Sequence, residues 1–269
     1  MMARLVRACH PEPTAAVTVL TMALAGVTHA GPFTVGAAFL SGQLSVGWSN
    51  DWVDAPRDRA VGRTDKPTVN GLPVATVRAA ALTALAACVP LSLAMGARAG
   101  AAHLVAVASA WLYNARLKAT VLSFAPYAVS FGLLPSIVTL AAPGHHAAPW
   151  WATAAGALLG VGAHAANVLP DLADDVATGV VGLPHRIGQG ATTALAGTSL
   201  VAATVLLAVG PGLSPTGLAA VVLATVVFGV GLALGRRPGS RAAFLSVLVV
   251  AVVDVGLLVI QGADLTARG

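Results

Sequence analysis

Apolar residues along this chain occur in long blocks rather than in alternation with polar residues. A block of about 17–25 apolar residues is long enough to cross the hydrocarbon core of a bilayer as a helix. This criterion predicts nine spans, at roughly 14–30, 32–49, 73–96, 100–115, 120–141, 149–168, 191–210, 214–234 and 242–262. We therefore expect an all-α integral membrane protein that forms a single domain over residues 1–269.

Composition and charge exclude several other classes. Only 9% of the residues are charged, whereas a soluble domain carries about 25%. The formal charge is +5, but no run of Lys and Arg exceeds two, and the basic residues are not interleaved with aromatic ones as nucleic-acid binding requires. Cys9 and Cys88 stand alone, so the sequence predicts neither a disulfide framework nor a CxxC metal pair.

The basic residues predict the orientation of the chain. If the amino terminus is cytoplasmic, thirteen of the fifteen basic residues fall on the cytoplasmic side, and only Arg98 and Arg268 fall outside. This asymmetry follows the positive-inside rule. An odd number of spans then places the carboxyl terminus outside, which agrees with nine.

Seven of the ten acidic residues lie in two short stretches, 51–65 and 171–175, on the predicted cytoplasmic side. If the second span continues as a helix, Asn50, Asp54 and Asp58 share one face at i, i+4 and i+8, with Asp51 beside them. Because of Pro56, the sequence does not specify the residue at which that helix ends. Asn167, Asp171 and Asp175 repeat the spacing, and His164 lies on nearly the same stripe. Two matching faces predict two halves of one polar cavity.

Clustered carboxylates repel one another unless a cation lies between them, and oxygen-only ligands suit Mg²⁺ better than Zn²⁺. The alternative is that these are solvated loop acids, neutralised by Arg57, Arg59 and Arg186. Ionisable groups cost about 2.5–3.5 kcal/mol each at mid-membrane depth, which favours a functional role for a repeated cluster. A diphosphate suits such a site because Mg²⁺ commonly bridges one or two carboxylates to substrate phosphates.

The stretch 50–58 has the form NDxxDxxxD and 171–175 the form DxxxD, and together they resemble the UbiA superfamily of intramembrane prenyltransferases. Residues 63–71 resemble the segment that follows the first motif, with Lys66 in place of the usual Arg. Tyr113 and Lys118 resemble the Tyr and Lys of the loop after the fourth span. Residues 179–188 resemble the TLPxxxG stretch after the second motif, except that Gly182 replaces Thr.

This resemblance implies a nine-helix bundle around a central cavity in the plasma (inner) membrane. Loops at about 50–72 and 169–190 would cap its cytoplasmic face. The implied reaction is Mg²⁺-dependent removal of diphosphate from an allylic polyprenyl diphosphate, with transfer of the polyprenyl group to a lipophilic or aromatic acceptor.

The resemblance also implies roles for individual residues, among which Asp54, Asp171, Lys118 and Tyr113 would be catalytic. Two Mg²⁺ would be held by Asn50, Asp54, Asp58, Asp171 and Asp175. Substrate contacts would come from Asp51, Arg63, Lys66, Asn167, Asp174 and Arg186. His164 has two interpretations: a hydrogen-bonded core residue, which is the commoner case for a buried His, or a contact to the acceptor.

Two alternatives to transfer stay open at this point. The same metal motifs serve UbiA-type terpene cyclases, in which a double bond of the substrate's own chain captures the cation. Aromatic side chains lining the cavity would favour cyclisation, and this chain is only 5% aromatic. A non-enzymatic transporter is disfavoured because the acids gather at one face rather than along a path through the membrane. The sequence specifies neither the acceptor nor the length of the prenyl chain.

Overall fold

The structure, a computed structural model, describes residues 1–177, 179–235 and 240–266, including the side chains of all of these except residues 173 and 174. All regular secondary structure in these ranges is helical. The α-helices are α1 Met2–Ala8, α2 Pro11–Val27, α3 Pro32–Ala60, α4 Val74–Leu93, α5 Ala97–Ala115, α6 Ala125–Ala141, α7 Trp150–Val168, α8 Leu172–Ala177, α9 Leu183–Val209, α10 Pro215–Gly235 and α11 Ala242–Ile260. Short 3₁₀ turns occupy Leu117–Ala119, Leu169–Asp171 and Gly262–Leu265.

Each predicted span overlaps one of the longer helices, although some boundaries differ. The largest differences are in α3, which continues past residue 49 to Ala60, and in α9, which begins at Leu183 rather than at 191. By length and hydropathy, the described part of the chain contains five helices able to cross a membrane: Val74–Leu93, Trp150–Asp171, Leu183–Val209, Pro215–Gly235 and Ala242–Ile260. The count of nine spans stays a prediction.

The long helices pack mostly against their neighbours in the chain and close into a ring. Helix α3 contacts α2, α4 and α5, α6 lies between α5 and α7, and α9 contacts α7, α10 and α11. The ring closes because α11 also packs against α2. Gly262, just after α11, lies against Val27 at the end of α2, so the described carboxyl end lies at the face of the bundle opposite to His10.

Helices α6 and α7 approach each other closely through two glycines. A Cβ atom at Gly156 would overlap the carbonyl oxygen of Phe131, and one at Gly160 would overlap that of Tyr127. Small residues four apart allow helix backbones to meet in a membrane protein. Gly156 and Gly160 therefore allow the backbones of α6 and α7 to pack closely.

Two buried threonines on α2, Thr18 and Thr21, use their hydroxyl groups within the same helix. Thr18 Oγ1 donates to the Thr14 carbonyl at 2.7 Å, and Thr21 Oγ1 donates to the Val17 carbonyl at 3.0 Å. At the end of the helix, Thr28 Oγ1 donates to the Leu24 carbonyl at 2.8 Å. These side chains therefore need no partner on a neighbouring helix.

One face of the bundle collects the ends that carry the two acidic motifs. It contains α1, the carboxyl end of α3, the connection from α5 to α6, and the segment from the end of α7 to the start of α9. At the other face, Arg98 at the start of α5 donates to the carbonyl oxygen of His145, which follows α6, at 3.2 Å. The bundle thus holds every part of the candidate site at a single face.

Candidate active site

The first motif lies on one uninterrupted α-helix. Helix α3 runs through Pro56 to Ala60, so Asn50, Asp54 and Asp58 lie on one face, as their spacing predicts. The helix stops at Gly62, which has a left-handed φ of 70°. There the Gly62 N–H donates to the Arg59 carbonyl and the Arg63 N–H to the Asp58 carbonyl, the hydrogen-bond pattern of a glycine helix cap. After this cap the chain turns back towards the motif, so that Lys66 reaches Asp51.

Two cations neutralise Asp54. Lys118 Nζ donates to Asp54 Oδ1 and also lies 3.5 Å from Asn50 Oδ1. Arg57 Nη2 lies 3.2 Å from Asp54 Oδ2 and 3.8 Å from Asp58 Oδ1. Burial lowers the pKa of Lys118, and the carboxylate of Asp54 opposes that shift. The first motif is therefore a charge network that joins α3 to the loop after α5.

Asp51 is almost completely buried, with 1% of its surface exposed, and two other segments contact it. Lys66 Nζ donates to Asp51 Oδ1 at 3.1 Å. His10 Nε2 lies 3.2 Å from the same oxygen and 3.4 Å from Asn50 Nδ2. Sequence reasoning missed His10, because a single His forty residues before the motif carries no recognisable spacing.

Two carboxylate oxygens of the first motif lack hydrogen-bond partners. Asp51 Oδ2 and Asp58 Oδ2 are both buried, and neither has a partner among the described residues. A buried carboxylate oxygen is costly unless a donor or a cation meets it. The first motif thus retains oxygens that could accept a cation.

The second motif has the same spacing but not the same geometry. Asn167 lies on α7, Asp171 ends the 3₁₀ turn Leu169–Asp171, and Asp175 lies on α8. The backbone stays right-handed helical at Val168, Leu169 and Leu172, but the 3₁₀ turn interrupts the regular α-helical stripe that the spacing predicts. Pro170 supplies the physical reason, since it cannot donate the backbone hydrogen bond that a continuing α-helix needs.

Both motifs nevertheless end in the same way. Gly179 follows Asp175 by four residues, as Gly62 follows Asp58, and it has a left-handed φ of 80°. Its N–H donates to the Val176 carbonyl, and the Val180 N–H donates to the Asp175 carbonyl. The repeated unit is therefore N-x₃-D-x₃-D-x₃-G. The two glycines were a sequence signal that the motif analysis missed.

A second histidine missed by sequence reasoning holds Asp175. His185 Nδ1 accepts a hydrogen bond from the Gly182 N–H at 3.0 Å, so the neutral ring carries its proton on Nε2. That nitrogen lies 3.3 Å from Asp175 Oδ2 and donates to it. Burial raises the pKa of Asp175, and the contact with His185 opposes this shift.

The remaining predicted residues of the second half are less enclosed. Asn167 and Asp171 are exposed to solvent, and the side chain of Asp174 lies outside the described part of the structure. Arg186 is also exposed and donates through Nε to the nearby Val181 carbonyl at 3.3 Å. The structure therefore holds Arg186 in a local contact rather than in the charge network of the first motif.

Electrostatic interactions connect the two motifs. The Arg57 side chain acts on Asp175 as well as on Asp58. Arg63 interacts with Asp171 and Asp58. Tyr113, at the end of α5, lies within electrostatic range of both Asp54 and Asp175. The fold thus brings the two halves of the predicted site to one place.

Close packing between two loops explains the departure at Gly182. A Cβ atom there would lie 2.6 Å from the Lys118 carbonyl oxygen and 2.8 Å from Ser123 Oγ, too close for any side chain. Ser123 Oγ accepts a hydrogen bond from the Leu183 N–H at 3.0 Å and lies 3.0 Å from His164 Nε2. The segment after the second motif is therefore docked on the loop that carries Lys118.

Aromatic rings cluster next to these loops. Tyr113 and Tyr127 both contact the ring of His164, with centroid distances of 5.7 Å and 5.1 Å, and Phe131 stacks on Tyr127 at 6.4 Å. His164 is buried and hydrogen-bonded to Ser123, which agrees with its interpretation as a core residue. Its Nδ1 atom has no partner among the described groups.

Arg63 and Asp65 form an outer pair in the loop after α3. Arg63 donates two hydrogen bonds to the Asp65 carboxylate, at 3.0 Å and 2.9 Å. These bonds lower the pKa of Asp65 and raise that of Arg63. Lys66, three residues after Arg63, points inward to Asp51. The loop therefore directs the Arg63–Asp65 pair towards solvent and Lys66 towards the candidate site.

These features define a class: an all-helical, multi-pass integral membrane protein with two acidic motifs and their counter-cations at one face. The chain belongs to the UbiA prenyltransferase family, whose model matches residues 13–256. No curated protein sequence gives a significant match to the chain.

Solved structures support the fold assignment. A UbiA homolog from Archaeoglobus fulgidus, bound to GPP and Mg²⁺, is similar with a TM-score of 0.71 and 15% identity over 97% of this chain and 99% of that one. The same comparison with its DMAPP and Mg²⁺ complex gives a TM-score of 0.69 and 15% identity, over 99% of this chain and 100% of that one. A UbiA homolog from Aeropyrum pernix K1, without ligand, gives 0.69 and 20% identity over 91% and 97%. At these identities the similarity shows a shared fold.

Proposed function

We propose that this protein is a Mg²⁺-dependent intramembrane prenyltransferase that transfers a polyprenyl group from an allylic polyprenyl diphosphate to a lipophilic or aromatic acceptor. One observation carries the proposal: two N-x₃-D-x₃-D-x₃-G segments lie at one face of the bundle, with Arg57 and Arg63 of the first within electrostatic range of Asp175 and Asp171 of the second. Relatives with the same fold bind GPP or DMAPP together with Mg²⁺. The whole chain would form one membrane domain, with loops 50–72 and 169–190 over its cytoplasmic face.

The donor set suits Mg²⁺. Asp51 Oδ2 and Asp58 Oδ2 are buried oxygens without partners, and every candidate ligand offers oxygen. Among the described side chains, no three acidic, His or Cys groups converge into a complete metal cage. Mg²⁺ is typically held by one or two carboxylates plus substrate phosphates, so each motif would supply a part. The ligands would be Asn50, Asp54, Asp58, Asp171 and Asp175.

The protein's own cations suit a diphosphate. As the bond between the allylic carbon and oxygen breaks, the electron pair stays on the diphosphate, where negative charge grows. Lys118 and Arg57 already lie at the first motif, and Lys66 and Arg63 lie beside it, so their positive charge would stabilise the negative charge that grows there. Bound Mg²⁺ would add charge stabilisation of the same kind.

The acceptor side would lie among apolar spans. Exclusion of water there protects the allylic cation from hydrolysis until the acceptor attacks it and releases a proton. Tyr113 links the two regions, because its ring packs against Tyr127 and His164 while it lies in range of Asp54 and Asp175. In this proposal Tyr113 borders the allylic carbon, and the exposed Asn167 and Arg186 lie at the outer edge of the diphosphate site. Asp174 would contact the substrate, as the resemblance of the motif implies.

A terpene cyclase is the second candidate, and one observation favours it. The few aromatic residues of this chain are not dispersed: Tyr113, Tyr127 and Phe131 gather with His164 beside the charged site. Aromatic faces stabilise cations, as a folded, cyclising isoprenoid requires. A product formed without any acceptor would identify this reaction.

The test uses purified full-length protein in detergent with Mg²⁺ and a panel of prenyl diphosphates of increasing length, with and without membrane extract. Diphosphate release and mass spectrometry of products are the readouts. We expect release that stops on chelation with EDTA and returns with added Mg²⁺. Asp54→Ala and Asp171→Ala should each reduce release by at least about 100-fold.

Asp264→Ala is the matched control, because Asp264 is an exposed carboxylate that follows α11 at the opposite face. It should retain the activity of the unmodified protein. If both motif variants release diphosphate at the unmodified rate, the site assignment is wrong.

A further inference from the structure

Three separate segments meet at Asp51, beside the proposed metal ligands. Lys66 from the loop after α3 and His10 from the turn between α1 and α2 both contact Asp51 Oδ1, at 3.1 Å and 3.2 Å. A carboxylate accepts hydrogen bonds, so His10 Nε2 is the donor in this contact. The same nitrogen lies 3.4 Å from the side-chain amide of Asn50.

The amino-terminal segment is fixed where it delivers His10. The Trp48 indole Nε1 donates to the Leu5 carbonyl at 2.8 Å, which docks α1 on α3. A Cβ atom at Gly47 would overlap the Cys9 carbonyl oxygen, and Thr14 Oγ1 donates to that same oxygen at 2.9 Å. His10 itself has a left-handed φ of 55°. The backbone before the first long helix is therefore held on both sides.

Apolar contacts support this docking. Ala8 and Leu72 are buried together with Val77, and Leu5, Trp48 and Trp52 pack against them. This small core joins α1, α3, α4 and the loop that carries Lys66, and it is separate from the main core of the bundle. It holds in one place the segments that supply both partners of Asp51.

We propose that His10 is a positioning residue of the first motif and that the amino-terminal segment 1–10 is part of the active site. His10 and Lys66 hold Asp51 as an anchor, and this sets the orientation of its neighbour Asn50 towards Mg²⁺ and the diphosphate. The inference rests on the proposed function, in which Asn50 and Asp54 are ligands. It assigns Asp51 a supporting task that the acidic motif alone does not reveal.

The expected effect of replacing His10 can be judged from hydrogen-bond partners around metal sites in other proteins. Removing an outer partner of a metal site typically costs about 10–100-fold in metal affinity or activity. We therefore expect His10→Ala to raise the Mg²⁺ concentration for half-maximal diphosphate release by about tenfold. At saturating Mg²⁺ kcat should change much less, because the ligands themselves are intact. A purely structural role would instead lower the amount of folded protein and leave the Mg²⁺ dependence unchanged.

Three variants complete this arm of the experiment. His10→Gln should restore most of the Mg²⁺ dependence, since a Gln amide N–H can replace the Nε2 donor. His10→Asn keeps the amide but is too short to reach Asp51, so it should behave like His10→Ala. His29→Ala is the matched control: His29 also has a left-handed φ, of 58°, but is exposed at the other end of α2.

A steric variant tests the same inference without touching His10. Gly47→Ala inserts a methyl group into the Cys9 carbonyl and should displace the segment, which raises the Mg²⁺ requirement in the same direction. Gly26→Ala is its control, because nothing lies within 4 Å of a Cβ atom there.

A binding measurement separates this inference from the proposed function. Mn²⁺ binding to the purified protein with inorganic diphosphate, followed by electron paramagnetic resonance, should weaken in His10→Ala and Gly47→Ala but not in their controls. If the unmodified protein neither binds Mn²⁺ nor releases diphosphate, the proposed function fails. If the unmodified protein is active and His10→Ala and His10→Asn match it in Mg²⁺ dependence and Mn²⁺ binding, the role of His10 is refuted and the proposed function stands.

Discussion

The two acidic motifs share one pattern of residues and differ in how the protein holds them. Both read N-x₃-D-x₃-D-x₃-G, and both end in a glycine with left-handed φ, at Gly62 and Gly179. The first lies on the single helix α3, whereas the second crosses from α7 through a 3₁₀ turn to α8. Equal spacing in sequence therefore does not guarantee equal geometry.

The surroundings explain the difference. Side chains from the turn between α1 and α2, from the loop after α3 and from the loop after α5 contact the first motif through His10, Lys66 and Lys118. In the second motif Asp171 is exposed, and Asp175 contacts His185, which lies only ten residues further along the chain. The first half of the site is thus neutralised by the fold itself, while the second half presents a carboxylate to solvent.

Replacing one carboxylate in each half should lower the free energy of unfolding in the first half only, although both replacements should reduce diphosphate release. Asp54→Ala leaves Lys118 and Arg57 without their shared partner, and we expect it to lower the free energy of unfolding by about 3 kcal/mol, the low end for breaking a buried ion pair. Asp171→Ala removes an exposed group and should change stability by less than about 0.5 kcal/mol. Thermal unfolding in detergent measures both. Equal destabilisation by the two variants would contradict the difference in burial and ion pairing between Asp54 and Asp171.

Gly182→Ala should disturb the contact between the two halves. The added methyl group would meet the Lys118 carbonyl oxygen at 2.6 Å, and such overpacking costs about 1–3 kcal/mol. Because Lys118 contacts Asp54, diphosphate release should fall as well.

Gly190→Ala provides the comparison for this variant, since a Cβ atom there has nothing within 4 Å. It lies on α9 with a negative φ, where Gly→Ala typically stabilises by about 0.4–1 kcal/mol. Parallel behaviour of the two variants in unfolding and release assays would show that the docking at Gly182 has no energetic role.

His185→Ala should act on the second half alone, through pH. Burial raises the pKa of Asp175, and His185 opposes that shift. Without the imidazole the pKa rises further, so under the proposed function the carboxylate becomes protonated at a higher pH. We expect the acidic limb of the kcat/KM profile to move to higher pH by up to about one unit, which corresponds to about 1.4 kcal/mol. His146→Ala, an exposed His at the opposite face, should leave the profile in place, and a shift to lower pH in His185→Ala would have the wrong sign.

Sequence patterns predicted the parts of this molecule that depend on local composition. Apolar blocks located the long helices, and the i, i+4, i+8 spacing located the face of α3 that carries Asn50, Asp54 and Asp58. Hydropathy did not find the end of α3, because residues 50–60 are polar but continue the helix until Gly62 stops it. It also could not show that Pro170 would divide the second motif.

Contacts that depend on tertiary docking escaped sequence reasoning altogether. His10 reaches Asp51 only because α1 packs on α3 at Gly47 and Trp48, far along the chain. His185 reaches Asp175 only because the segment after the second motif turns at Gly179. Neither histidine has a spacing that marks it. Gly62 and Gly179, which end the two motifs, are by contrast visible in the sequence as a repeat.

The threonines of α2 bear on the conformation in which this segment could enter a membrane. A hydropathy scale counts Thr18 and Thr21 as polar, yet each hydroxyl hydrogen bonds to a carbonyl one turn earlier. Those bonds exist only when the segment is helical, because an extended chain separates the hydroxyl from that carbonyl. In lipid an unsatisfied donor costs several kcal/mol. If α2 is a membrane span, as its apolar block predicts, its helix must therefore form before or during its entry into lipid rather than afterwards.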